Sequence, residues 1–233
     1  MNQRHHDTHD TSTVGRMGRM GRLGRMGAVT ATLAATLAAT SAAFTGPAQA
    51  ADRAPHMAGH RSLVQVLSAD KGYDHNWQDF DVLEKAVGAV LAAKPDSAVK
   101  VLADGRTRVT AFLPTDRAFR RLANDLTGRK PHTERGTFRA IAHAADVDTI
   151  ETILLYHVVP GVTAGSHKVA RMNGAALTMA NGGQVTVRIR GGNVRLADQD
   201  PDARNAAVVA VDINKGNKQI AHAINRVLRP IDL

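Results

Sequence analysis

Several groups of residues in this chain have side chains and spacings that could do chemistry. His56 and His60 stand four apart, the separation at which two imidazoles on a helix share a metal ion. No helical pattern surrounds them, so two exposed histidines in a tail are expected. Asp198, Asp200 and Asp202 alternate around Pro201 and invite a calcium reading. The full loop pattern with its bidentate glutamate is absent, which leaves a solvated acidic turn. Gly165-Ser166-His167 lacks the flanking glycine of a nucleophile elbow, and there is no His-Glu-x-x-His, phosphate-cradling glycine loop or cysteine nucleophile. A non-enzymatic protein with no cofactor and no metal is therefore expected.

Two other groups point to binding. Tyr156 and His157 are flanked by Leu154, Leu155, Val158 and Val159. A tyrosine among aliphatics buries its ring and needs a partner for its hydroxyl, and a semi-buried histidine needs its ring nitrogens paired. The pair either holds a helix-to-strand join together or forms a contact site for a partner. Arg117, Arg120 and Arg121 share one helix, Arg188 and Arg190 one strand, and Lys215 and Lys218 a turn. These faces are either ordinary solvated charge or a surface for acidic polysaccharide or another acidic ligand, bound in a salt-sensitive way. Nucleic acid is not expected, because one Trp and two Tyr make no stacking platform.

These residues must be positioned by a chain of 233 residues, enough for one domain or at most two. Hydrophobic residues make up 43% and aromatics only 3%, so the core must be built mainly from Val, Leu, Ile and Ala. Residues 1–50 read as a secretory signal peptide. Arg16, Arg19, Arg22 and Arg25 precede an uncharged stretch from Ala28 to Phe44, and Ala48-Gln49-Ala50 is a small-x-small cleavage site. The uncharged stretch is short and rich in Ala and Thr, which argues against a membrane span. Removal of this segment lowers the net charge from +9 to +6. Residues 51–61 read as a short flexible leader and 62–233 as the domain. Without cysteine the exported chain relies on packing for its stability. A soluble, secreted monomer is expected, loosely surface-associated at most.

Within the domain, apolar residues at helical spacing mark 62–67 with Ser62 as N-cap, 79–93, and a helix after Pro114-Thr115-Asp116 that ends at Gly128. Asp79 and Asp81 stand at the start of the second, where carboxylates suit the helix dipole. Thr115 is expected to cap the third by accepting a backbone N–H, with Asp116 adding charge in its first turn. Lys130 to Gly136 reads as a polar link, and further helices cover 137–144 and 147–155, the latter capped by Asp146 or Asp148. Val99 to Leu102 and Val109 to Leu113 read as strands around a turn. Beyond the Pro160-Gly161 turn, 184–190 alternates strictly, with Val185, Val187 and Ile189 inward. Residues 194–196, 206–211 and 220–228 supply further strands. Helices gathered in the first half and antiparallel-type strands in the second argue for one α+β domain.

Three segments carry a family resemblance. Thr110-Ala111-Phe112-Leu113-Pro114-Thr115-Asp116-Arg117-Ala118-Phe119 resembles the first signature box of the fasciclin (FAS1) domain family, and Leu154 to Gly161 resembles the second. Ile220 to Pro230 is similar to the family's terminal strand. The resemblance covers about residues 61–233. The resemblance implies a β-sandwich wedge carrying a cluster of helices, in a secreted or surface-associated protein that serves cell adhesion or binds a matrix protein or glycan. In animal relatives the Tyr-His pair and its branched apolar neighbours are linked to integrin recognition; the matching residues here are Tyr156 and His157 with Leu154, Leu155, Val158 and Val159. The Ala-, Gly- and Arg-rich composition reads as bacterial.

Overall fold

A computed structural model describes residues 58–70 and 72–231. The expected signal peptide, its cleavage site and His56 lie outside the described residues. Five helices come first: α1 (Leu63–Leu67), α2 (Asp81–Ala93), α3 (Asp116–Thr127), α4 (Glu134–Ala144) and α5 (Val147–Leu155). One strand, β1 (Val109–Pro114), falls among them. Then follow β2 (Val158–Pro160), a short α6 (Ser166–Val169), β3 (Ala176–Thr178), β4 (Gln184–Arg190), β5 (Asn193–Ala197), β6 (Ala206–Ile213) and β7 (Gln219–Ile224).

The caps explain most helix starts. Ser62 accepts from the Gln65 N–H while the Gln65 side chain returns to the Ser62 N–H, a reciprocal box. Asp146 accepts from the Thr149 N–H at 2.7 Å and begins α5 where the spacing predicts. Gly128 ends α3 in the left-handed conformation with φ of 66°, which a side chain would resist.

Four local expectations are corrected. Residues 99–102 are not a strand but part of a 3₁₀ helix, Ala98–Ala103, begun by the Ser97 hydroxyl accepting from the Val99 N–H. Its buried residues, Val99 and Leu102, fall three apart, the period of that helix. Helix α4 begins at Glu134, inside the expected polar link, because Thr133 caps it through the Gly136 N–H. Helix α2 begins at Asp81, two residues later than its apolar pattern suggests. Thr115 holds the N-cap position of α3 with no side-chain hydrogen bond.

The sheet has seven strands in the order β2-β1-β7-β6-β5-β4-β3. Only β1 and β7 run parallel, in register from Val109↔Gln219 to Pro114↔Ile224; every other pair is antiparallel. Strand β6 shifts register twice against β7 and meets β5 through Ala206 and Ala207. It thus passes the sheet from its central pair to the β4–β5 hairpin. The irregularity bends the sheet, as bulges do.

Two apolar clusters follow. Val109, Ala111 and Leu113 of β1 pack with the inward faces of the helices, among them Val82, Leu83, Phe119, Leu122 and Leu154. Phe112 points the other way, into a cluster with Tyr156, Val185, Val187, Leu196, Ile224 and Leu228. Strands from both ends of the order share this second cluster, so the sheet curls around it. Strands β1 and β7 are buried along their whole length because helices cover one face and the curled sheet the other. The result is the α+β class expected, a helical layer on a sheet curled into a wedge.

Candidate functional site

The join between α5 and β2 is built on Tyr156 and His157. Helix α5 ends at Leu155, and the chain turns immediately into β2, which pairs with β1 through Thr110↔Val159 and Ala111↔Val158. Tyr156 is 0% exposed, and its hydroxyl donates to the Gln184 carbonyl at 2.6 Å. Its ring lies against Gly183, where a Cβ would come within 2.7 Å of the ring edge. Burial pushes the phenol pKa up to about 12, with the Asp198 carboxylate adding to the shift.

His157 is 4% exposed and bridges two elements. Its Nδ1 lies 2.7 Å from the Ile153 carbonyl, and its Nε2 accepts from the Leu228 N–H at 2.9 Å. These partners dictate the neutral tautomer with the proton on Nδ1. Leu154, Val158 and Val159 are also buried, and Leu155 is half-buried. In this conformation the pair closes the join, and its side chains do not reach the surface.

The histidine gives the fold a defined acid sensitivity. Burial lowers its pKa to about 4 from the ordinary 6.5, against a smaller upward pull from the Ile153 carbonyl. Below pH 6.5 the unfolded chain takes up a proton that the folded chain refuses. Its contribution to stability is therefore complete above about pH 6.5 and is lost as pH falls towards 4, a change of about 3 kcal/mol. Urea unfolding of the wild type and His157→Gln across this range should show the stability gap between them closing by about that amount. A gap independent of pH would contradict the assignment.

The basic residues separate into two kinds. Arg120 stacks on Trp77 at 4.3 Å and donates through Nε to the Pro131 carbonyl. Arg121 donates to the Asn225 carbonyl at 2.6 Å, and only Arg117 of the three is exposed. Two of the three expected surface arginines thus tie α3 to neighbouring segments. On the β4–β5 hairpin, Arg188 stands directly opposite Arg195, with Arg190 next along the same face. All three are exposed and line one hollow of about 720 Å³. None forms an ion pair among the described residues.

The acidic turn at 198–202 is exposed at Asp202, as expected, but not at Asp200. Asp200 is 2% exposed; its Oδ1 accepts from the Asp202 and Ala203 N–H groups and its Oδ2 from the Arg229 guanidinium at 3.1 Å. Arg229 also pairs with Asp125, and its N–H donates to Asp198. Asp198 and Asp200 thus both serve Arg229, and Asp202 stays in solvent. Ser166 is likewise engaged: its hydroxyl donates to Asp212 at 2.7 Å.

A further cluster was not legible as such. Asp81, Asp116 and Glu134 stand at the starts of α2, α3 and α4, and these three starts meet. Asp116 accepts from the Val82 N–H at 2.9 Å and so serves the first turn of α2 instead of its own helix. Burial raises the Asp81 pKa to about 6, helped by the neighbouring Asp79 carboxylate. Burial raises that of Asp116 to about 8, with the Val82 N–H opposing and Asp79 adding.

The fold and the closed Tyr-His join define an α+β domain, and sequence comparison supplies its family. The chain belongs to the fasciclin domain family, whose model matches residues 83–230, more than half of its length. The family is associated with cell adhesion and is non-enzymatic, and its domains are typically extracellular or surface-associated. Comparison with curated proteins gives no match. Among solved structures the chain is similar to a FAS1 domain pair from the insect cell adhesion molecule fasciclin I, at 22% identity and a TM-score of 0.40. The match covers 63% of this chain and 45% of that one, so the chain spans less than half of that structure. No described helix is long and apolar enough to cross a membrane.

Proposed function

We propose that the protein is exported and works without catalysis as an adhesive binding module, attaching to an acidic polymer of a cell surface or matrix through its β4–β5 hairpin. The observation that carries the reading is the Arg188–Arg195 pair. Like charges directly opposite across a hairpin destabilise it, and here Arg190 adds a third guanidinium to the same hollow. A polyanion laid along that face removes the repulsion. The planar forks suit its carboxylate or sulfate groups. Tyr156 and His157 serve this reading as the scaffold behind the surface, and Arg117 lies on a separate face with Trp77 and Val209. The family's association with cell adhesion supports the class of function.

The test is retention of the purified chain on cell envelope and on two immobilised polymers, polygalacturonate and heparin, across a salt gradient. Replacing Arg188, Arg190 and Arg195 together by Gln should weaken retention at least about tenfold at low salt, at roughly 0.5 kcal/mol per arginine. Arg117→Gln should leave it unchanged. Retention that resists salt, or that survives in the triple variant, contradicts the reading. Retention abolished by Tyr156→Phe or His157→Gln with stability intact would return the contact site to the signature pair.

A further inference from the structure

Five carboxylates converge on the helical face, far in sequence from the arginine hairpin. The nearest ligand oxygens of Asp81, Asp116 and Glu134 lie within 4.8 Å of one another, and those of Asp74, Asp79 and Asp81 do the same. Asp81 belongs to both groups. Asp116, Glu134 and Asp81 are 0%, 1% and 2% exposed, which is very unusual for carboxylates without an oppositely charged partner. None of the five forms an ion pair among the described residues.

The oxygens are divided in a telling way. One oxygen of Asp116 takes the Val82 N–H, and one of Glu134 takes the His75 N–H at 3.2 Å. Each of these contacts fixes its carboxylate in place. The other oxygen of each, with Asp81 Oδ2 and both oxygens of Asp79, is buried and has no hydrogen-bond partner among the described residues. Leaving a buried polar atom unpaired is costly, and more so when it carries charge. Carboxylates gathered this closely are held together by a shared proton, as the Asp79–Asp116 contact allows, or by a cation between them.

We propose that Asp81, Asp116 and Glu134, with Asp79 and the exposed Asp74 on the solvent side, bind a hard divalent cation of the calcium class. Calcium takes six to eight oxygens at about 2.3–2.6 Å, so oxygens sharing one ion lie roughly 3–5 Å apart. The observed spacing falls within that range before any side chain moves. A site this rich in side-chain carboxylate suits calcium better than magnesium, which keeps several of its waters and a strict octahedron. Zinc is the poorer candidate, because every ligand atom here is a carboxylate oxygen and the chain has no cysteine. Asp74 supplies the way in: it is exposed, and its Oδ1 already turns the loop by accepting from the Asn76 N–H. The ion would tie the 72–80 loop to the first turns of α2, α3 and α4. This site is independent of the proposed polymer-binding surface.

Trp77, the only tryptophan in the chain, lies between Asp74 and Asp79 and reports on the loop. The experiment titrates the full chain, stripped with chelator, with calcium chloride at pH 7.5, following heat and Trp77 emission. Magnesium and zinc run in parallel. Saturable uptake of one calcium is expected, with thermal unfolding raised by about 5–10 °C at a hundredfold excess over Kd. Asp116→Asn keeps an amide oxygen for the Val82 N–H, so it should fold while losing affinity at least about tenfold. Should it fail to fold, Asp74→Asn carries the same test from the exposed rim and should lose at least about threefold. No heat, emission change or thermal shift at millimolar calcium overturns the proposal. So does an undiminished calcium response in the folded variant. A chain indifferent to calcium but stabilised by acid holds protons at this cluster instead of an ion, which also overturns it.

Discussion

Tyr156→Ala is expected to cost the fold about 3–5 kcal/mol, the range for removing a fully buried aromatic side chain. The ring is wholly buried, belongs to the cluster inside the curled sheet, and lies against Gly183 with no room to spare. Its loss opens a cavity where α5, β2 and β4 meet. Tyr156→Phe keeps the ring and removes only the bond to the Gln184 carbonyl, so it should cost about 1 kcal/mol. Urea unfolding of both variants separates packing from hydrogen bonding. If the alanine variant lost less than about 1 kcal/mol, the residue would not be the keystone of the join that its burial indicates. For a fasciclin domain this decides how variants at the second signature box are read: a lost adhesive phenotype there reports an opened core before it reports a lost contact.

Arg229→Ala should be comparably severe, at about 3–5 kcal/mol, for an electrostatic reason. The side chain is 9% exposed and forks between Asp200, which is buried, and Asp125, which is half in solvent. The Asp125 pair is worth little, because solvent screens it. The damage comes from Asp200, left as a buried carboxylate with its charge uncompensated. Arg229→Lys cannot reach both acids with one planar fork and should recover only part of the loss. The double variant Arg229→Met/Asp200→Asn should be markedly more stable than Arg229→Ala, because it removes the orphaned charge. In the cycle completed by Arg229→Met and Asp200→Asn alone, additive losses would show that the two residues do not act as a pair.

Legibility followed the range of the interactions. Strand β4 alternates Val185, Val187 and Ile189 with polar residues, and that local pattern suffices for its position. Asp146 caps α5 because its partner is three residues away. Val99 to Leu102 misleads because Val and Leu suit a strand, while the deciding contact is a single hydroxyl at Ser97. The parallel pairing of β1 with β7 has no local signal at all. The candidate sites divide in the same way. The burial of Tyr156 and His157 is readable from their aliphatic neighbours, but the bond from His157 to Leu228 spans 71 residues. Asp79, Asp81 and Asp116 each read as ordinary partners of a helix dipole. That three helix starts converge, turning such residues into one crowded cluster, is a property of packing between segments from 74 to 134. Arg195 carries no local signal, because its significance lies in facing Arg188 across a turn.

The parallel pair at the centre of the sheet also sets the order in which this molecule can come into being. Strand β1 lies between β2 and β7, and β7 is the last of the described strands to be made. Helices α1 to α5 and strand β1 are complete by residue 155, yet the inner edge of β1 stays unpaired until residues 219–224 have been synthesised. Contacts of such long separation form slowly, and the waiting chain exposes both an open strand edge and the apolar side of its helices. A nascent chain stalled anywhere before β7 is thus a sticky fragment rather than a small domain. Its quality control rests on whatever shields that edge until the final strand arrives.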